Sequence, residues 1–221
     1  MAMKKRTADT TLPPTAGQRG PAEHDRRAQI VEAADAYFRH YGYHKTTVAD
    51  LAKAIGLSTA YIYKFFDSKQ AIGEAICGKC LSIILDELNK IAHAKRPADE
   101  RLAEMYMSIA RESARRFFHD RRLHDIVNIS RVSQWQTTKD HQAAVLDLIL
   151  HVVAEGRAAG EFEADSSLIK TCNAVAETFL LVSHPVLLEE KLDGLEERAE
   201  EISALVLRGL RKKYTSDELT I

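Results

Sequence analysis

The chain is poor in residues that break helices. Its 221 residues include 10 Gly and 5 Pro, and two of those prolines, Pro13 and Pro14, fall near the start. So few breakers favour long helices with short connections. No apolar run approaches the roughly 18 residues that span a bilayer. The richest stretch, Val175 to Leu188, is interrupted by Glu177, His184 and Pro185, so no membrane partner is expected. The basic opening, Met1 to Arg6, leads into Thr, Asp and Pro rather than the apolar segment of a signal peptide. Three cysteines cannot all pair, and with nothing else speaking for export the expected setting is a reducing cytoplasm. Gly-rich phosphate loops and nucleophile elbows are also missing. Neither an enzyme nor a bound cofactor is expected.

What is present is ordinary in amount and uneven in placement. Apolar residues make up 45% and charged residues 29% of the chain, values usual for a soluble globular protein. Residues 1–72 carry 11 Lys and Arg against 7 Asp and Glu, whereas residues 73–221 carry 20 against 25. A basic front on an acidic body suits a phosphate-binding head joined to a separate regulatory part. An excess of four charges can also arise by chance, so it does not stand alone.

The periodicity is helical nearly throughout, with no convincing alternating strand. The expected fold is all-α, about nine helices in all. Residues 1–22 read as a flexible basic tail, 23–70 as a three-helix head and 71–221 as a helical body. The first helix is expected from about Asp25 to Tyr41, with Ile30, Ala33, Ala34, Tyr37 and Phe38 on one face. Three short helices within about 30 residues are expected next. A long one comes after them, from about Ser68 to His93, with Ile72, Ile76, Cys80, Ile83 and Leu88 inward. Further helices are expected at 98–118, 121–134, 138–158, 166–184 and 194–213, the first of these opened by Pro97.

The most informative segment runs from Thr47 to Phe66. Thr47 with Asp50 three residues on is a near capping box, its hydroxyl placed to accept a first-turn N–H. Gly56 supplies the positive φ of a tight helix-to-helix turn, and Ser58 caps the next helix. Two helices crossing steeply need a small residue where they approach, here Ala52, and apolar residues between them. Leu51, Ile55, Leu57, Ile62 and Phe65 stand at the spacings of a helix-turn-helix core. Subtracting that core leaves Ser58, Thr59, Ala60, Tyr61, Tyr63 and Lys64 outward. Small groups at the helix start admit base edges, while Tyr and Lys suit phosphates. A merely solvated face is the alternative, disfavoured by two tyrosines beside a lysine.

The runs Ile30–Phe38 and Tyr41–Lys69 resemble the signature of the TetR family of bacterial repressors almost throughout. The resemblance implies roles for individual residues. Thr47, Tyr63 and Lys69 correspond to phosphate-binding positions. Thr59, Ala60, Tyr61 and Lys64 fall where bases or nearby backbone are contacted in that family, and Ser58, on the same outward face, is a further candidate DNA contact. By the same resemblance the last two helices, about 166–184 and 194–213, would join two copies into a homodimer. Their seams are Leu168, Cys172, Val175, Phe179 and Val182, then Leu195, Ile202, Val206 and Leu210. The alternative is that these seams pack only within one subunit. The middle helices would enclose a small-molecule ligand, with Met105, Ile109, Phe117, Trp135, His141, Leu148, His151 and Phe179 as candidate lining. The implied function is a repressor released from a palindromic DNA operator by a ligand. An activator, or a regulator without a ligand, is the near alternative. The tail either adds DNA contacts or is disordered.

Other constellations carry less. Cys77-Gly-Lys-Cys80 is a CxxC, but it lies inside a helix and lacks a second ligand pair at metal spacing. His119 and His124 do not share a helix face. Asp147, His151 and Glu155 do share one, which reads as an ion-pair ladder rather than a metal site. A hydrolase or metalloenzyme built on the middle histidines is the distant alternative.

Overall fold

The computed structural model describes residues 21–211 apart from 120, 185–186 and 188–192; side chains are described at all of these except 21–22, 116–119 and 121–125. Most of the expected 1–22 tail thus lies outside the described residues. The described helices are α1 Pro21–Tyr41, α2 Val48–Ala54, α3 Thr59–Ile62, α4 Lys69–Ala92, α5 Ala98–His119, α6 Arg121–Val132, α7 Gln136–Ala158, α8 Leu168–Ser183 and α9 Leu195–Leu210. Two short helices, not three, stand between α1 and α4. The third expected short helix is absent because a single further turn, Tyr63 to Phe65, completes α3 before Ser68 caps α4. One isolated antiparallel bridge, Phe162 to Arg211, is the extended pairing among the described residues.

Apolar side chains gather into two clusters. The N-terminal one joins Ile30 and Phe38 of α1, Leu51 of α2, Ile62 of α3 and Ile72 and Ile76 of α4, and is completed by Ile126 of α6 and by Trp135. The larger one is built from the second half of α4 with α5, α7, α8 and α9, around Leu88, Leu102, Tyr106, Ile149, Val152 and Phe179. Helix α4 belongs to both. Its 24 residues make a rod of roughly 36 Å that runs from the short helices into the body.

The inward stripe of α4 differs from the sequence expectation at one position. Ile84 is buried, while Ile83 is 48% exposed, and Cys80 is half-buried. The buried side turns as the helix passes from one cluster to the other: Ile72 and Ile76 face the N-terminal cluster, and Ile84, Leu88 and Ile91 face the larger one. Ile83 lies close to the line of Ile72 and Ile76 but about 100° round the helix from Ile84.

The α4–α5 corner is held by a buried charge. Arg101 is 5% exposed, and its Nη1 donates to the Ala92 carbonyl at 2.6 Å and to Glu155 Oε2 at 2.7 Å. Glu161 reaches across from beyond α7 to accept the first N–H groups of α5, those of Ala98 and Asp99, at 2.7 and 3.2 Å. The seams expected to join subunits instead fill the subunit's own core. Cys172, Val175, Phe179, Val182, Leu195 and Leu210 are all buried within the larger cluster, with Leu168, Ile202 and Val206 packed against it. On the same helices Ile169, Leu181 and Leu205 remain exposed.

Candidate nucleic-acid interface

The α2–α3 corner is built by local chemistry. Thr47 Oγ1 accepts from the Asp50 N–H at 3.1 Å, and Asp50 Oδ2 accepts from the Thr47 N–H at 2.9 Å. That is a complete capping box, made with Asp where Glu or Gln is commoner. The Thr47 hydroxyl also donates to Asp50 Oδ2 at 2.6 Å. That bond, then the one from the Thr47 N–H, holds the Asp50 carboxyl below the usual carboxylate range. Thr47→Ala removes the cap, and we expect a loss of about 1 kcal/mol of stability, read in urea unfolding. The Asp50 carboxyl should return toward its ordinary value in the same variant, read by NMR titration.

At its other end α2 closes in a Schellman arrangement. The Gly56 N–H donates to the Lys53 carbonyl at 3.3 Å and the Leu57 N–H to the Ala52 carbonyl at 2.9 Å. Gly56 holds φ at +67°, the left-handed region that favours glycine. Ala52, Leu51 and Ile62 are buried where the helices meet, with Ile55, Leu57 and Phe65 packed against them. Ser58 Oγ accepts from the Tyr61 N–H at 3.1 Å and starts α3.

The corner sorts its polar residues by exposure. Thr47, Ser58, Ala60, Tyr63 and Lys64 are exposed, whereas Thr59 and Tyr61 are half-buried. The Tyr61 ring stands edge-on to Phe65 at 5.3 Å, with Lys64 Nζ 5.6 Å from its centre. The outward face therefore carries one cation, hydroxyls and a methyl on a rigid base. Such a set can offer donors to phosphates and a small surface to a groove.

Lys69 is placed differently from its neighbours. Its ammonium donates to the Tyr43 carbonyl at 3.1 Å and the Thr46 carbonyl at 3.0 Å, and lies 4.4 Å from the centre of the Tyr43 ring. Desolvation there lowers its pKa. In this arrangement Lys69 ties the start of α4 to the turn that carries Thr47. Tyr43 is the residue that sequence reasoning passed over. Buried at 7%, it touches Phe38 edge-on at 5.1 Å and Trp135 at 5.6 Å. Nothing in the local pattern marks it, because its partners lie in three different helices or their junctions.

The expected ligand-lining residues separate. Ile109, His141 and Phe179 do line one cavity, of about 290 Å³, among α5, α6, α7 and α8. Met105 and Leu148 are buried in the larger apolar cluster instead, as apolar residues at helical spacing usually are. Trp135 belongs to the N-terminal cluster. His151 stacks on His93, ring centres 4.4 Å apart, along a separate cleft that also includes Arg101. The side chain of Phe117 lies outside the described residues, as do those of His119 and His124. Of the expected Asp147, His151 and Glu155 ladder one contact is seen, His151 Nε2 to Glu155 Oε1 at 3.6 Å, which is an ion pair only when the imidazole is protonated. Cys77 is fully buried, and burial pushes its thiol up to about 12, so it offers no thiolate. Among the described residues no group of three His, Cys, Asp or Glu is placed to hold a metal, and no helix is long and apolar enough to cross a membrane.

Comparison with known proteins agrees with this geometry. A family described as bacterial regulatory proteins, tetR family, matches residues 30–76, and one described as a tetracyclin repressor-like C-terminal domain matches residues 98–203. Together they cover about two thirds of the chain. The HTH-type transcriptional regulator TtgR of Pseudomonas putida is 33% identical over 76 residues, which is 34% of each chain; the match thus spans about a third of that relative's length. Among solved structures, a TetR-family regulator from Pectobacterium atrosepticum has a TM-score of 0.69 at 18% identity, covering 89% of this chain and 100% of that one. FadR from Bacillus subtilis, solved with stearoyl-CoA, has a TM-score of 0.63 at 20% identity, covering 83% and 99%. These structural likenesses concern the fold.

Proposed function

Because the chain belongs to the tetR family of bacterial regulatory proteins, we propose that it works in the cytoplasm as a homodimeric, DNA-binding transcription repressor released from its operator by a small ligand. The observation that carries this reading is the α2–α3 corner: a double-capped turn presenting Ser58, Ala60, Tyr63 and Lys64 outward from a buried base. Residues 23–70 serve as the reading unit and 71–221 as the sensing and dimerising body. One such corner spans a single groove, so a two-fold pair reading a roughly palindromic site is the natural assembly. The exposed Ile169, Leu181 and Leu205 of α8 and α9 are apolar side chains on those helices still available to a second copy. Thr47 and Tyr63 take phosphates, Thr59, Ala60, Tyr61 and Lys64 face bases and adjoining backbone with Ser58 contacting DNA beside them, and Lys69 supports Thr47 from behind.

The test is binding to duplexes selected from a random pool, followed by fluorescence anisotropy over a range of salt. Tyr63→Phe removes one phosphate donor and should weaken every duplex by about fivefold. Lys64→Ala should reduce the salt slope by about one and alter the selected sequence. A purified dimer that enriches no duplex even at low salt overturns the reading.

A further inference from the structure

The cavity among α5, α6, α7 and α8 holds two groups that folding does not account for. Its apolar lining includes Ile109, Val145 and Phe179, and its less exposed polar residues are Arg131, His141 and Ser183, the last with its hydroxyl already donating to the Phe179 carbonyl. His141 Nδ1 is buried with no hydrogen-bond partner. Buried polar atoms are nearly always partnered in stable folds, so an orphan on a cavity wall marks a place for something that supplies the partner. Arg131 is partly desolvated, and Glu177 acts on it through space without an ion pair between them among the described side chains. Burial first, and then the nearby charge of Arg131, hold the His141 imidazole down to about 4, so it stands neutral beside a permanent cation.

A guanidinium offers forked N–H donors that match a carboxylate, and an imidazole N–H adds a third. Resting on the ligand-sensing reading of the body, we infer that the cavity takes a small amphiphilic monoacid, its carboxylate on Arg131 and His141 and its hydrocarbon part against Ile109, Val145 and Phe179. An amine would meet Arg131 with like charge. An alcohol would answer one donor and leave the rest of the guanidinium fork unmatched. Glu177, an exposed lining residue whose charge also acts on Arg131, already places one negative charge at the cavity and so disfavours diacids.

Titration calorimetry of the full chain with octanoate, octan-1-ol and octylamine separates these classes, since all three share one hydrocarbon tail. Octanoate should bind at least about tenfold more tightly than either of the others. Arg131→Gln should erase that preference. Arg131→Lys, which keeps the charge and loses the fork, should retain part of it and guards against reading a folding defect as lost recognition. Equal binding of the alcohol or the amine, an octanoate preference that survives Arg131→Gln, or no binding of any probe overturns the inference. Duplex binding measured on the same preparation tells the two readings apart. DNA binding without octanoate binding sinks only the acid site, whereas selective octanoate binding without any duplex keeps the site and sinks the repressor.

Discussion

Replacing Trp135 with alanine should cost about 3–5 kcal/mol of stability. The indole is 3% exposed and sits at the junction of α6 and α7, where the backbone N–H of Trp135 donates to the Ser130 carbonyl at 2.8 Å. From that junction it reaches into the N-terminal cluster, 5.6 Å from the ring of Tyr43. Gly73 makes the approach possible. A Cβ built there would stand 2.7 Å from the indole Cη2 and 3.1 Å from Tyr43 Cε2, closer than packed carbons tolerate. Gly73→Ala should therefore push the indole out and cost about 1–3 kcal/mol by overpacking. Urea unfolding followed by far-ultraviolet circular dichroism reads both variants, since Trp135 is also the chain's one tryptophan. If Trp135→Ala moves the midpoint no further than Gln136→Ala next to it, the indole is not a packing element.

That position gives Trp135 a second consequence. It lies four residues after Arg131 and six before His141, and it packs against the turn that Lys69 holds by its carbonyls. If the protein is a ligand-released repressor, a ligand that draws on Arg131 and His141 biases a contact that links the cavity wall to the reading unit. Trp135→Phe, which keeps a ring but shortens the reach, should weaken the effect of ligand on DNA affinity more than it weakens DNA affinity itself. Equal losses in the two measurements would remove Trp135 from that coupling.

Mild acid should destabilise the protein through His141. Its folded-state value of about 4 lies below the ordinary 6.5, because burial disfavours the charged ring and Arg131 repels it. The unfolded chain therefore binds the extra proton across that window, and stability rises with pH through it. As pH falls from about 6.5 to about 4, up to roughly 3 kcal/mol is lost at about 1.4 kcal/mol for each pH unit. The depressed carboxylates of Asp50, Glu155 and Glu163 contribute stability that is lost only lower, as pH falls through the carboxylate range. Melting temperatures of the wild type and His141→Gln between pH 7 and about pH 4.5 isolate the histidine. A variant whose pH dependence matches the wild type would assign the acid loss elsewhere.

The readable and unreadable parts of the sequence divide by the range of the interactions. Thr47 and Asp50, Gly56, and Ser58 announce themselves because a cap or a turn is satisfied within three to five residues, and the structure closes each where the sequence puts it. Apolar spacing also locates the long helices to within a few residues. The inward side of α4 is misjudged at Ile83, since two adjacent isoleucines leave the stripe ambiguous until a neighbour packs on one of them. Trp135 and His141 look alike as large residues on the middle helices, yet one enters the N-terminal cluster and the other lines a cavity. The alternation in α8 and α9 reads as a seam, but it does not say with which partner. In the subunit that seam is filled from α5 and α7.

By itself the amino-acid order determined the helical class, the family signature and the capped corner that would face DNA, because periodicity, N-caps and a left-handed glycine act through backbone neighbours. Only the tertiary structure decided that Lys69 braces the Tyr43 turn, that Trp135 docks on Gly73, and that Arg131 and His141 share a wall. Each of those contacts joins residues tens of positions apart or on different helices, and its energy exists only once packing has removed both partners from water.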